Sequence, residues 1–289
     1  MHVLAPSLLF IAIASAEPFV GKPVDIFTRD MSSGCSIDSP VSCHSSSNPG
    51  SSCCYETPGG LLLQTQFWDT SPSTGPTNSW TIHGLWPDDC DGTYIENCDP
   101  SRAYKDIADL LTSQGASDTL DYMEQYWVNI NGNNEEFWEH EWSTHGTCYN
   151  TLLPSCLPEG SAEGAEAVAF FQTVVSLFKT LPTYEWLESA GITPNKHHEY
   201  TREELMSALT QAAGVAPSLT CEDKGRKLNM ISWYFNLKGS LIDGQFVPVD
   251  APESGSCESH GIRYLPKTSR RDDDVAFDNA AGDSQEVLL

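Results

Sequence analysis

The chain has 289 residues, 39% of them hydrophobic, and sets 40 acidic against 15 basic side chains for a formal net charge of −25. Such a composition supports a sizeable core and excludes global disorder, while the charge repels polyanions at neutral pH. That repulsion weakens near the carboxylate values around pH 4, where histidines also become cations, so an acidic working pH would reconcile the composition with a phosphate-bearing substrate.

The first element in chain order is "MHVLAPSLLFIAIASA", an apolar run that closes on Ala14-Ser15-Ala16, the small-x-small pattern that precedes signal-peptidase cleavage. Residues 1–16 are therefore expected to be a signal peptide, although the start of the run offers His2 and neither Lys nor Arg. The run is too short to span a bilayer, and no later stretch is long and apolar enough. A secreted or vacuolar protein without a membrane anchor is expected. The ten cysteines agree: an even count suits five disulfides, which persist in an oxidising compartment. Adjacent Cys53 and Cys54 each tie this loop to a different place, and the lack of Cys-x-x-Cys argues against a zinc ribbon or thioredoxin-like site. Residue spacing alone does not pair them.

Residues 17–58 are rich in Ser, Pro, Gly and Cys and read as a stapled, loop-rich lead-in. Strands are predicted over 61–68, 229–237 and 240–249, the last two joined through Lys238-Gly239. Helices are predicted over 101–113, 118–128, 134–147, 162–180 and 202–213. The last has the best punctuation, with Thr201 and Glu204 forming a capping box and Gly214 at the stop. Strands outside and helices within suggest one α+β domain over 17–265. Residues 266–289, polar and acidic with a basic pair at Arg270-Arg271, read as a disordered tail.

Two segments carry chemistry. "FWEHEWSTHGTC" spans 137–148, and its His-Glu with a second His raises the question of a zinc peptidase. His140 and His145 are five apart, however, and on one helix would diverge by roughly 140°, so one ion would not easily take both. Glu141 and His145 are four apart and share a face, which places a carboxylate beside an imidazole; alone, that is more often a solvated helix pair. The second segment, "WTIHGLWPDDCDGTY" (80–94), adds His83, a Gly84 that lets the backbone approach something closely, and then Trp86, Asp88 and Tyr94. A single histidine in a strand is more often a satisfied core residue than a catalyst; the two segments together change that balance.

"WTIHGLWPDDC" followed by "FWEHEWSTHGTC" resembles the two signature segments of the ribonuclease T2 family of secreted and vacuolar acid endoribonucleases. The resemblance covers most of 35–257 and implies an α+β fold with a central antiparallel sheet, stapled by disulfides. It implies cleavage of single-stranded RNA, without metal or cofactor, through a 2′,3′-cyclic phosphate to 3′-phosphate ends. His145 matches the family's base, His83 its acid, Glu141 its catalytic carboxylate and His140 a phosphate-binding histidine. Trp86, Asp88, Tyr94 and, more weakly, Phe137 match positions that hold bases. The implied disulfides are Cys35–Cys54, Cys43–Cys90, Cys53–Cys156, Cys98–Cys148 and Cys221–Cys257. One departure stands out: Thr144 occupies a position where the family usually has lysine.

A monomer acting on RNA and inert toward DNA, which lacks the 2′-OH, is the resulting expectation. Two rivals remain. A zinc hydrolase would need a third ligand and different spacing. A weakly catalytic or non-catalytic protein of this fold, acting on a protein partner, is motivated by Thr144 and the net charge; two imidazoles and a carboxylate retained together argue against it.

Overall fold

The computed structural model describes residues 24–25, 34–36, 38–44 and 52–268. The expected signal peptide, residues 1–16, and residues 269–289 of the expected tail lie outside the described residues.

The strands are β1 (Val24–Asp25), β2 (Leu61–Phe67), β3 (Thr81–Asp88), β4 (Ser218–Cys221), β5 (Lys227–Lys238) and β6 (Gln245–Val249). The helices are α1 (Ile107–Ser113), α2 (Ser117–Tyr126), α3 (Asn134–Thr144), α4 (Ala165–Lys179), α5 (Thr183–Ser189) and α6 (Arg202–Ala213). The strands make one antiparallel sheet in the order β1-β6-β5-β2-β3. β5 is its spine: one edge pairs with β2, and the other with β4 along its first half and β6 along its second.

The α+β architecture with a central antiparallel sheet is the one expected. Helix α4 is buried on nearly all sides, as its run of Ala, Val, Phe and Leu dictates, and it packs against β2, β3 and α2. The tryptophans Trp68, Trp80, Trp127, Trp142 and Trp233 are fully buried in the same core. Helix α6 starts on the expected capping box, with Thr201 Oγ1 accepting from Glu204 N and the Glu204 carboxylate accepting from Thr201 N, and it ends at Gly214 with φ +82°.

Several boundaries differ, each for a local reason. The expected 101–113 helix breaks into a 3-10 turn at Pro100–Arg102 and then α1, because Asp106 adopts a left-handed φ of 55°. The Glu135 carboxylate on α3 accepts the backbone N–H groups of Ile107 and Ala108 and caps the new start. The strand expected from residue 240 starts at Gln245, since Ser240 Oγ bonds Asp243 and Gly244 N donates to Ser240 O at 2.7 Å, closing a turn. β4 and α5, of four and seven residues, are too short for hydrophobic periodicity to show. Lys267 and Thr268, assigned above to the tail, are packed. Lys267 Nζ donates to Pro76 O and Ser79 O and lies 4.4 Å above the Trp68 ring, so the packed chain extends past 266.

The disulfides are Cys35–Cys54, Cys43–Cys90, Cys53–Cys156, Cys98–Cys148 and Cys221–Cys257. Two of them hold the chemistry-bearing segments: Cys90 lies two residues past the end of β3, and Cys148 lies in the turn after α3. Replacing Cys98 and Cys148 together by alanine is expected to cost about 2–4 kcal/mol, because it frees a long loop in the unfolded chain. Urea denaturation under non-reducing conditions reads this directly.

Candidate active site

The site is built where side chains of α3 reach β3. Strict alternation along β3 would point His83 and Trp86, three apart, to opposite faces. The register between β2 and β3 shifts, however: Thr65 pairs with Gly84 and Gln66 with Ile82, leaving His83 as the extra residue of a bulge. The bulge re-aims His83 onto the face that carries Trp86. There its ring stacks on Phe67 (centroids 3.9 Å, 22°) and meets Trp86 edge-on at 4.6 Å.

Helix α3 supplies the facing groups. Asn133 caps it by accepting from Glu136 N, and Glu135 and Glu136 occupy its first turn, where the helix dipole favours negative charge. Glu141 is fully buried. Its carboxyl reaches across to β3 rather than along its own helix: Trp86 Nε1 donates to Oε2 at 2.9 Å, and Oε1 lies 3.5 Å from His83 Nε2. Gly84 makes this approach possible, since a Cβ there would stand 2.0 Å from Glu141 Oε2. The carboxyl stays within 4.8 Å of His145, as their spacing leads one to expect, and gains on β3 a second imidazole, His83, that helical spacing does not announce.

His145 is not a helical residue in the expected sense. α3 ends at Thr144, and Gly146 folds the chain back over Trp142 so closely that a Cβ would lie 2.3 Å from the indole. The His145 ring stacks on Trp86 (4.9 Å, 26°). The same departure corrects the expected divergence of His140 and His145. Their ligand atoms and that of Glu141 lie within 4.8 Å of one another, so helical spacing does not exclude a shared ion. Gly146→Ala is expected to destabilise the fold by about 1–3 kcal/mol through overpacking, measurable as a lowered urea midpoint.

The turn after α3 is held from below by a residue that the sequence did not flag. Arg102, 4% exposed, donates to Thr147 O at 2.6 Å and Leu152 O at 3.3 Å and pairs with Asp99 at 2.9 Å. Phe67 was also missed, although its place on the same face as Leu63 and Thr65 was a usable signal. Phe137 lies 5.8 Å from His83, and Thr144 Oγ1 is 3.3 Å from His140 Nδ1. Trp86, expected against a base, commits one face to His145 and its N–H to Glu141. Asp88 stands two residues further along β3, half-buried, with Tyr94 bridged to it through the backbone and 64% exposed.

Burial sets the protonation. The Glu141 carboxyl is pushed up to about 8 by desolvation, only partly offset by the Trp86 hydrogen bond. His83 is lowered to about 3 by desolvation and by the neighbouring His145 and His140, and His145 to about 4 by desolvation and His140. The close His83–Glu141 contact is therefore a neutral acid facing a neutral imidazole, not an ion pair. Because Oε2 accepts from Trp86, the carboxyl proton belongs on Oε1, which makes no hydrogen bond among the described residues; nor does His83 Nδ1. Buried polar atoms left open beside two imidazoles form a site poised for an oxyanion and a proton transfer.

A model described as the Ribonuclease T2 family matches residues 59–244, and the chain belongs to that family. It is 61% identical to Ribonuclease Le2 of Lentinula edodes over 83% of this chain and 100% of the relative, and 51% identical to Ribonuclease Trv of Hypocrea rufa over 81% and 98%. The crystal structure of Actibind, a T2 ribonuclease, is similar with a TM-score of 0.77 at 49% identity, covering 81% of this chain and 98% of that one.

Proposed function

We propose that this T2-type ribonuclease cleaves single-stranded RNA at acid pH by metal-free transphosphorylation. His145 takes the proton of the ribose 2′-OH, the oxygen attacks phosphorus, and the 5′-oxygen leaves with a proton from His83, giving a 2′,3′-cyclic phosphate. The roles then exchange as water opens the ring to a 3′-phosphate. The observation that carries this reading is the convergence of the His83, Glu141 and His145 side chains from two elements onto one face.

The protonation states fit the steps. A base depressed to about 4 is already neutral in mild acid and can accept a proton. His83 is neutral in the empty site, but a phosphate anion placed beside Nε2 favours the imidazolium and raises its affinity for a proton. Glu141, neutral below about pH 8, turns Oε1–H toward the oxygens where charge develops. His140 lies beside His145 for the same phosphate, with Thr144 in contact with its ring. Trp86 holds His145 and Glu141 in register, while Tyr94, Asp88 and Phe137 are left for the bases.

Five disulfides support residence in an oxidising compartment reached by the signal peptide over 1–16. No helix among the described residues is long and apolar enough to cross a membrane. We further propose that the protein acts as a monomer and leaves DNA intact for want of a 2′-OH. The experiment is an RNA and DNA turnover assay in mild acid with EDTA: RNA cleavage unaffected by chelator and intact DNA are expected, whereas chelator-sensitive cleavage would favour a metal enzyme. Thr144→Lys adds a fixed cation beside the phosphate and is expected to raise kcat/KM by about tenfold or more; an unchanged value would show that His140 already serves.

A further inference from the structure

A second cleft, lined by none of the catalytic groups, opens where α2, the turn from α4 into α5 and the chain leading into β3 come together. Its volume is about 190 Å³, roughly that of six waters and enough for one planar ring system. Trp80 and Phe178 form its buried part, and Tyr122, Tyr126 and Tyr184 stand partly exposed around it. The Tyr122 and Tyr126 rings, one turn apart on α2, stack at 4.4 Å and 19°. Lys179 Nζ stands 4.1 Å from the Tyr122 ring, so that ring is covered by the ammonium and by Tyr126. Tyr126 carries no second stacked ring among the described residues; Phe178, tilted at 6.3 Å, is its other aromatic neighbour. Lys179 is exposed, and Asp118 lies close enough to favour its charge. The cleft is continuous with the active site on two sides. Tyr126 precedes Trp127, whose carbonyl accepts from Trp138 Nε1 at 2.8 Å, and Phe137, next to Trp138, lies 5.8 Å from His83. Trp80 stands three residues before His83, about 10 Å of extended chain.

We propose that this cleft is a remote subsite for single-stranded RNA: a base beyond the two that flank the scissile phosphate stacks on Tyr126, and Lys179 meets a backbone phosphate. This rests on the RNA-cleaving function proposed above. A chain with a net charge of −25 draws little affinity from phosphates, which leaves stacking as the main hold on a long strand. Every base has a ring face to offer, so the subsite adds affinity for length without adding sequence preference. Asn78 and Glu185, exposed at the rim, are left to the base edge, where the amide can present either its donor or its acceptor.

The test compares kcat/KM per phosphodiester bond on the dinucleotide ApA, too short to reach the cleft, and on hexa-adenylate. Wild type is expected to favour the hexamer by about tenfold, as one stacked base implies. Tyr126→Ala should erase that advantage and leave ApA cleavage unchanged, and Tyr126→Trp should restore it. Lys179→Gln should lower it severalfold and flatten its dependence on salt. Equal wild-type values on both substrates overturn the inference; so does a hexamer advantage that survives in Tyr126→Ala. A loss on ApA as large as on the hexamer would give the tyrosine a purely structural role and overturn it too. Should Tyr126→Ala fail to fold, the exposed Lys179 decides, and an unchanged hexamer advantage in Lys179→Gln counts against the subsite. If folded wild type cleaves neither substrate, the function proposed above fails and this inference with it, an outcome distinct from all the others.

Discussion

His83→Phe and His145→Phe should each lower kcat on single-stranded RNA by about 10²–10⁴, with KM little changed. Each ring carries a proton in one of the two transfers, and general acid or base catalysis is worth about 10²–10⁴ in rate. The replacements suit the site's packing. Phenylalanine at 83 can keep the stack on Phe67, and at 145 the stack on Trp86, so folding should survive and the loss should report chemistry. The double variant should be little worse than either single one, because the two imidazoles act on one transition state and their effects do not add. Single-turnover rates across pH would check both points. Near wild-type cleavage by either variant would mean that its role is misassigned.

The second large effect concerns the protonation of Glu141. If the buried carboxyl works as a neutral hydrogen-bond donor, glutamine can take its place: its amide oxygen accepts from Trp86 Nε1, and its NH2 occupies the position of Oε1–H. Glu141→Gln should keep activity within about tenfold of wild type in mild acid, whereas Glu141→Ala should lose about 10²–10³. A carboxylate role predicts the reverse, with Gln as damaging as Ala. Stability supplies an independent reading. Burial raises the folded-state carboxyl to about 8 from its ordinary value of 4.5. Its contribution is therefore fully present below about pH 4.5 and is lost as pH rises through 8, by on the order of a few kcal/mol. The melting temperature of Glu141→Gln relative to wild type should rise between about pH 5 and pH 8.

The residues of this site were legible in the sequence, but their mutual arrangement was only partly so. The two signature segments name His83, Glu141 and His145, and their Gly84 announces a close backbone approach. What approaches is Glu141, and that needs the fold. The bulge that turns His83 toward Trp86 depends on how β2 pairs with β3, which no local pattern records. Reading 134–147 as one helix rightly set Glu141 beside His145 but sent His140 and His145 apart; Gly146 was the available signal that the helix stops short. Disulfide pairing was beyond the reach of residue spacing, since ten cysteines admit many connectivities. Strong periodic or capped helices such as α4 and α6 were found, while the short β4 and α5 were not.

In the proposed mechanism two histidines and a neutral carboxyl cyclise the phosphodiester without a metal. The direct measurement is 31P NMR of an RNA dinucleotide digested in mild acid with EDTA present. A transient 2′,3′-cyclic phosphate signal that decays to a 3′-phosphate is expected, and it should be abolished in His83→Phe and His145→Phe. Products ending in 5′-phosphate, or no turnover until a divalent metal is added, would contradict this mechanism.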